Sequence, residues 1–325
     1  MTAARRRAAK KPTLGIDLGG TKILGGLVSP QGEILASSKK KTRAEKGPDQ
    51  ILERLVNVAI DTARKAGLEI ADVAGLGIGA PGQIDHGTGS IVYAPNLGWR
   101  DIPLVEHLSE ALGIPVALDN DVNVVAVAEH LWGRGQEVDD LVAISVGTGI
   151  GAGIILGGEL WHGFNGTAGE IGHTVIDQDG PKWKASNRGC LESMASRMAI
   201  ALRLEKAMKN GQETSIFEET GGKASEIRSK VLKRAVAGGD PLVIAELEES
   251  ARLIGIAVGN VINFLNPEMI VMGGGMIESL ADVMMPIIEK TARRCAIANA
   301  AQDVQIVASE LGDSAGLLGA AALVR

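Results

Sequence analysis

Gly15-Ile16-Asp17-Leu18-Gly19-Gly20-Thr21-Lys22 and Ser145-Val146-Gly147-Thr148-Gly149-Ile150-Gly151-Ala152-Gly153 are the two stretches on which the reading of this chain turns. Each follows or lies inside an apolar, strand-like run. Each bares backbone N–H groups that no side chain shields, which is what a polyphosphate needs. One such turn would say little. Two, far apart in sequence, point to a nucleotide held between two lobes. Between them in sequence lies Asn120-Asp121, whose carboxylate is placed to serve as a base.

Working outward from the first turn, Thr13–Asp17, Ile23–Ser29 and Ile34–Lys41 read as an antiparallel meander, with Pro30-Gln31-Gly32 as the second bend. Ile51, Leu52, Leu55, Val58, Ala59 and Ala63 recur at helical spacing, bounded by Pro48 and Gly67. Val73–Gly79 returns as a buried strand, a helix covers Leu104–Leu112, and Val116–Leu118 delivers Asn120-Asp121 to the start of a helix over Val122–Trp132. Around the second turn, Leu141–Val146, Gly151–Leu156 and Glu159–Trp161 form another meander. The order strand, glycine turn, strand, strand thus occurs twice, which an internal duplication of one α/β unit explains. Helices are expected over Leu191–Lys209, Ser225–Ala237, Pro241–Leu265, Ser279–Ile297 and Leu317–Val324, with strands at Met269–Met272 and Val304–Ala308. The expected organisation is a basic tail over 1–12, a first lobe over 13–118 and a second over 119–312. The last helix, about 313–325, is expected to cross back to the first lobe.

A length of 325 residues allows two cores, and with 45% hydrophobic residues but few aromatics these must rest on Val, Ile, Leu and Ala. A formal net charge of −6 argues against a nucleic-acid-binding body. The basic cluster Arg5-Arg6-Arg7 with Lys10-Lys11 is confined to the tail and reads as a solvated, disordered terminus. Two cysteines, Cys190 and Cys295, do not make a disulfide framework and suit a reducing cytosol. The longest apolar stretch, Leu141 to Leu156, is interrupted by glycines and is too short for a membrane span. The expectation is a cytoplasmic enzyme with neither nucleic-acid nor membrane partners.

Further segments complete a recognisable order: Gly79-Ala80-Pro81-Gly82, Asn96-Leu97-Gly98-Trp99, Gly169-Glu170-Ile171-Gly172-His173 and Gly189-Cys190-Leu191-Glu192. With the two turns and Asn120-Asp121, the chain from about 13 to 325 resembles the ROK family (repressors, open reading frames and kinases), most closely its bacterial glucokinases. The resemblance implies the two-lobed, actin-like ATPase (ribonuclease H-like) fold with a duplicated α/β unit. It also implies ATP- and Mg²⁺-dependent phosphorylation of a hexose at the 6-hydroxyl, most readily glucose, by a homodimer or homotetramer.

On that resemblance each residue type has a use. Gly19, Gly20 and Thr21 would offer donors to phosphate, with Lys22 as a neutralising charge or simply a solvated strand residue. Asp17 would hold Mg²⁺, directly or through water, unless it only caps a turn. Gly147, Thr148 and Gly149 form the second phosphate site. Their spacing also mimics a dinucleotide fingerprint, but a strand follows instead of a helix. Asp121 is the catalytic base, or a plain helix N-cap, or both. Asn120, Asn96 and the Gly79–Gly82 loop would line the sugar, which Glu170, His173 and Glu192 would read. Glu192 is expected to lie away from both phosphate turns. Gly274, Gly275 and Gly312–Gly316 are candidates for adenine and ribose.

The chain departs from the family at a structural zinc, whose ligands would be His173 and three cysteines. Trp183, Ala185, Ser186 and Gly189 occupy the positions of the family's Cys-x-Cys-Gly-x-x-Gly run before Cys190, so only His173 and Cys190 survive as ligand types. No structural zinc is expected, because such sites want four N or S ligands; Trp183 would pack the loop instead. Alternatives are a kinase for fructose, mannose or an N-acetylated amino sugar, a polyphosphate donor, or a non-enzymatic sugar sensor. Only about a dozen residues precede the first turn, too few for the helix-turn-helix region of the family's repressors.

Overall fold

The structure, a computed structural model, describes residues 11–182 and 188–325. The readings made of the basic tail over 1–10 and of Trp183, Ala185 and Ser186 lie outside the described residues. The chain divides into two compact units: residues up to Ala128 with Gly163–Thr167 and Asp313–Arg325, and Glu129–His162 with Ala168–Gly312.

In the first unit β1 (Thr13–Leu18), β2 (Lys22–Val28), β3 (Ile34–Lys41), β4 (Leu76–Ala80) and β8 (Val116–Asn120) form a five-stranded sheet in the order β3-β2-β1-β4-β8. The first three strands are antiparallel; β4 and β8 run parallel to β1. The inner strands carry apolar residues on both faces because helices cover both. On one face lies α1 (Pro48–Lys65), whose Ile51, Leu52, Leu55, Val58, Ala59 and Ala63 are all buried, the stripe read from the sequence. On the other lies α11 (Ala315–Ala322), built from small residues. Successive residues of β2 show the two-sidedness: a Cβ at Gly25 would strike Val58, one at Gly26 would strike Leu317. At Gly15 and Gly77 a Cβ would run into the carbonyls of Leu317 and Ala320. Glycine is required there for helix and sheet backbones to touch. α2 (Leu104–Leu112) and α3 (Asp121–Trp132) flank β8 in sequence.

A second, three-stranded antiparallel sheet, β5 (Gln83–Asp85), β6 (Ser90–Ala94) and β7 (Trp99–Ile102), was not anticipated. Its strands are short, and their alternation is broken by the turn Asp85–Gly89 and by Pro95. Trp99, only 1% exposed, anchors it.

The second unit repeats the plan. β9 (Leu141–Val146), β10 (Ile150–Leu156), β11 (Glu159–Leu160), β12 (Met269–Gly273) and β13 (Gln305–Ala308) stand in the order β11-β10-β9-β12-β13. Again the central strand is antiparallel to its successor and parallel to the later two. Equivalent order and sense in both sheets is the duplication expected from sequence. The helices are α4 (Leu191–Ala195), α5 (Arg197–Lys209), α6 (Phe217–Thr220), α7 (Ser229–Ala237), α8 (Pro241–Leu265), α9 (Gly275–Cys295) and α10 (Ala298–Asp303). The single helix expected over Leu191–Lys209 is two. Ser196 adopts extended backbone (φ −69°, ψ 160°) and its side chain accepts the Ala199 N–H, capping a new helix. The helix expected from Ser279 begins earlier, at Gly275, and is kinked at Leu280 (φ −135°, ψ 20°).

Candidate active site

The first glycine turn joins β1 to β2. Gly19 N–H donates to Lys22 O at 2.9 Å, closing the turn. Thr42, fully buried, pins it from behind: its hydroxyl donates to Gly19 O at 2.5 Å and its N–H to Thr21 O at 3.0 Å. With those carbonyls engaged, the turn presents the Gly20 and Thr21 N–H groups, which make no hydrogen bond among the described residues. Thr42 was not singled out from sequence, since a lone threonine after a lysine run carries no signal. Asn96 lies beside this turn, 3.4–3.6 Å from where a Cβ on Gly20 would stand.

Asp17, half-buried at the end of β1, lies against Gly316 of α11, whose Cβ would come 3.2 Å from the carboxylate carbon. Burial pushes its pKa up, Lys22 opposes the rise, and Asp313 adds to it. A desolvated carboxylate only partly compensated fits a divalent cation with its preference for oxygen. Lys22 is paired with Asp313 at 3.0 Å on the surface, an interaction weak enough to be exchanged for a phosphate.

The Asn120-Asp121 pair ends β8 and starts α3. Capping falls to Asn120: its Oδ1 accepts Val122 N at 2.8 Å and Asn123 N at 3.4 Å, and its Nδ2 donates to Gly82 O at 3.2 Å. Asp121 is therefore the first helical residue rather than the cap. Beneath it sits Asp119, 3% exposed, whose Oδ1 accepts Asn120 N at 2.7 Å and Asn123 Nδ2 at 2.8 Å, with His86 Nε2 at 3.2 Å. Asp119 and Asn123 stand four apart in Asp-Asn-Asp-Val-Asn, a local spacing that the motif reading of Asn120-Asp121 does not include. Gly79 is buried on β4. A Cβ there would lie 2.5 Å from Val124 and 3.6 Å from the Asp121 Cα, so its service is to let α3 settle on the sheet.

In the second unit, Gly147, Thr148 and Gly149 link β9 to β10, and Gly147 N–H donates to Gly149 O at 2.9 Å. Gly274 (φ +84°) caps α9 close to the same turn, its missing Cβ 2.7–2.8 Å from Val146 and Ser145 atoms. Gly275 follows as the first residue of α9 and is exposed.

Glu170 and His173 stand on one short turn, with His173 Nε2 3.7 Å from Glu170 Oε2. The turn is docked on β10, where Ala152 N–H donates to Gly169 O at 2.9 Å. Glu192 corrects the sequence expectation. Far from lying away from both phosphate turns, its Oε2 accepts Ile150 N–H at 2.9 Å, and it occupies the space a Cβ on Gly149 would need. Its own Cβ stands 3.3 Å from where one on Gly172 would be. One carboxylate thus touches the second glycine turn and flanks the Glu170–His173 turn.

The loop that would carry a zinc is tied by main chain. Val175 bridges Cys190, Lys182 bridges Arg188, Ile176 N–H donates to Gly189 O at 3.0 Å, and Gly189 N–H to Pro181 O at 2.9 Å. Cys190 is buried while His173 is exposed beside Glu170. Two ligand types, so disposed, do not fit a four-ligand zinc.

A sequence model of the ROK family matches residues 13–325. The chain is 33% identical over 313 residues to a glucokinase of Halalkalibacterium halodurans, covering 96% of this chain and 94% of that one. It is 30% identical over 311 residues to a xylose repressor of Caldicellulosiruptor bescii, covering 96% of this chain and 77% of the repressor. Among solved structures, a ROK family glucokinase from Streptomyces griseus in complex with glucose and AMPPNP has a TM-score of 0.84 at 32% identity, covering 96% of this chain and 98% of that one.

Proposed function

This chain belongs to the ROK family and has its actin-like ATPase fold, and from that membership we propose that it is a hexose kinase transferring the terminal phosphoryl group of ATP to the 6-hydroxyl of glucose. The observation that carries the reading is the placing of Asp121 as the first residue of α3, at the carboxyl end of β8 and directly after the capping Asn120. A carboxylate at a strand end and helix start is held at a fixed place, and a base for a hydroxyl is what phosphoryl transfer to a sugar needs.

Phosphoryl transfer asks little covalent chemistry of a protein and much positioning and charge. Asp121 accepts the proton of the attacking hydroxyl as the bond to phosphorus forms. Asp119, through Asn120 and Asn123, fixes the start of α3 and hence the carboxylate's direction. Gly20, Thr21 and the turn Gly147–Gly149 bind phosphate oxygens, with Lys22 exchanging Asp313 for them. Gly274 and Gly275 take the nucleoside end. Glu170, His173, Glu192, Asn96 and Asn120 bind sugar hydroxyls; a carboxylate suits vicinal hydroxyls because each oxygen can accept separately. Asp17 would hold Mg²⁺, which when bound neutralises charge on the β- and γ-phosphate oxygens. The glucokinase relative and the structure bound to glucose and AMPPNP support glucose and ATP as the pair. We further propose a cytoplasmic homodimer or homotetramer; no helix among the described residues is long and apolar enough to cross a membrane.

The likeness to a xylose repressor favours a second reading, a sugar sensor without turnover. A panel of glucose, fructose, mannose, N-acetylated amino sugars and xylose with ATP and Mg²⁺, reading ADP release, decides between them. Turnover greatest with glucose supports the proposal. Sugar binding without ADP release supports the sensor, and turnover with polyphosphate in place of ATP revises the donor.

A further inference from the structure

The interruption at Ser196 has a result at the second phosphate turn. It makes Arg197 the first residue of α5 and brings it onto that turn: Arg197 N–H donates to Gly147 O at 3.0 Å. The side chain reaches the same place. Nη2 donates to Thr148 Oγ1 at 2.6 Å, and Nη1 to Ile227 O at 2.9 Å. We propose that Arg197 is a positioning residue of the second phosphate turn, aiming the Thr148 hydroxyl at a phosphate oxygen of the nucleotide and holding positive charge beside it. The inference rests on reading Gly147–Gly149 as a phosphate turn.

The chemistry of the pair gives the direction. A guanidinium carries donors only, so Thr148 Oγ1 must accept from it. The Thr148 hydroxyl hydrogen is then directed away from Arg197. Thr148 is exposed and its hydroxyl has no acceptor among the described residues. The missing partner is an acceptor from outside the chain, and on a glycine-rich turn that acceptor is an anionic oxygen. A hydroxyl that accepts a charge-assisted hydrogen bond is also the stronger donor.

The charge balance points the same way. Arg197 is half-buried, and among the described residues no carboxylate pairs with it. Burial lowers its pKa, and the charge that acts on it besides is another cation, Arg228, which lowers it further. Arg228 leans on Glu226 at 3.8 Å. A guanidinium drawn partly out of water, next to a like charge and without a counter-ion, is an unfavourable arrangement that a bound anion relieves. Lys22 at the first turn differs, since Asp313 already neutralises it.

The competing explanation is that Arg197 only staples the Ile227 carbonyl to the start of α5. Four variants separate the two: Arg197→Met, Arg197→Lys, Thr148→Val and the double change Arg197→Met/Thr148→Val. Each is assayed for kcat, for KM of ATP and of glucose, for calorimetric affinity toward ADP and toward adenosine, and for melting temperature. Arg197→Met should raise KM for ATP and weaken ADP roughly tenfold or more, the scale of one charge-assisted hydrogen bond. Glucose KM and adenosine affinity should stay within about twofold, because neither ligand carries the phosphates. Arg197→Lys should recover part of the loss, and the double variant should lose less than the two single losses combined.

A folded Arg197→Met protein with unchanged ATP and ADP constants overturns the inference. So does one in which ATP, adenosine and glucose constants all rise together with a lowered melting temperature, which is the stapling outcome. If the wild type phosphorylates a hexose, these results bear on Arg197 alone. A wild type that binds ADP yet phosphorylates no hexose overturns the proposed function, while the ADP comparison still decides the role of Arg197. A wild type that binds no adenine nucleotide overturns both.

Discussion

Asp121 sits one residue beyond Asn120, whose side chain caps the helix. Asp121→Asn should therefore leave α3 capped and the melting temperature nearly unchanged, while kcat for hexose phosphorylation falls roughly a hundredfold or more, the scale of a lost general base. Near-normal turnover in the folded variant would remove Asp121 from that role. Glu192 makes the opposite case, one carboxylate serving two neighbours. Glu192→Gln replaces an acceptor by a donor on one side of the carboxyl, which should cost sugar affinity roughly tenfold. Because the same group takes the Ile150 N–H beside Gly149, the apparent constant for ATP should rise as well, by roughly two- to fivefold. Titrating each substrate with the other saturating reads both. A strict loss of sugar affinity alone would show that the amide oxygen fully replaces the carboxylate at Ile150.

Among the elements, α8 owes its start to one side chain. Asp240 Oδ1 accepts Leu242 N at 3.1 Å and Val243 N at 3.2 Å, while Oδ2 accepts from Thr214 Oγ1, Ser215 N and Ser215 Oγ, each at 2.7 Å. Burial alone would raise its pKa, but these donors outweigh it and lower the carboxyl to about 2. A carboxyl lowered in the folded state contributes stability that is complete above its unfolded pKa near 4 and is lost as pH falls toward 2. Asp240→Ala should cost about 2 kcal/mol at neutral pH. The difference from wild type should shrink between about pH 4 and pH 2, measured as denaturant midpoints across that range. A difference that persists at pH 2 would mean that packing, not charge, is what was lost. Asp240 before Pro241 is a start signal that can be read without a structure, and α8 begins and ends where its sequence says it should. Likewise α1, α2 and β9 follow from periodicity and punctuation. The break at Ser196 does not, because apolar spacing continues through Met194, Ala195 and Ile200 and a capping serine looks like any helical serine. The β5–β7 sheet escaped for the opposite reason, its strands being too short for alternation to rise above the turns between them. At the site, the glycine turns and Asn120-Asp121 were legible as local patterns. Thr42 and Arg197 were not, since each acts on a partner that only the fold brings near.

At the scale of the molecule, the first unit is completed by the last residues of the chain. Asp313–Arg325 belong to it, and α11 covers the face of its sheet through Leu317, Leu318, Ala320 and Ala321, all buried. Gly15 and Gly77 leave no room for a side chain to stand in for that helix. A chain ending at Gly312 should lose hexose phosphorylation. In hydrogen exchange the amides of β1 and β4 should lose protection while those of β9 and β12 keep it, because the second unit lacks no element of its own. Full protection of β1 in the shortened chain would show that α11 is dispensable to the first core.

That arrangement also orders events during biosynthesis. Residues 13–128 leave the ribosome first but cannot close their core until α11 has emerged, whereas the second unit has all its strands and helices once Gly312 is out. At ordinary elongation rates the wait from the emergence of Ala128 to that of α11 is on the order of tens of seconds. Through that time the α11 face of the N-terminal sheet stays uncovered, with glycines at 15, 26 and 77 where the helix will lie. A face of this kind offers little for a wrong partner to grip. A nascent chain stalled between Gly312 and α11 would consequently carry a built second half and an open first one.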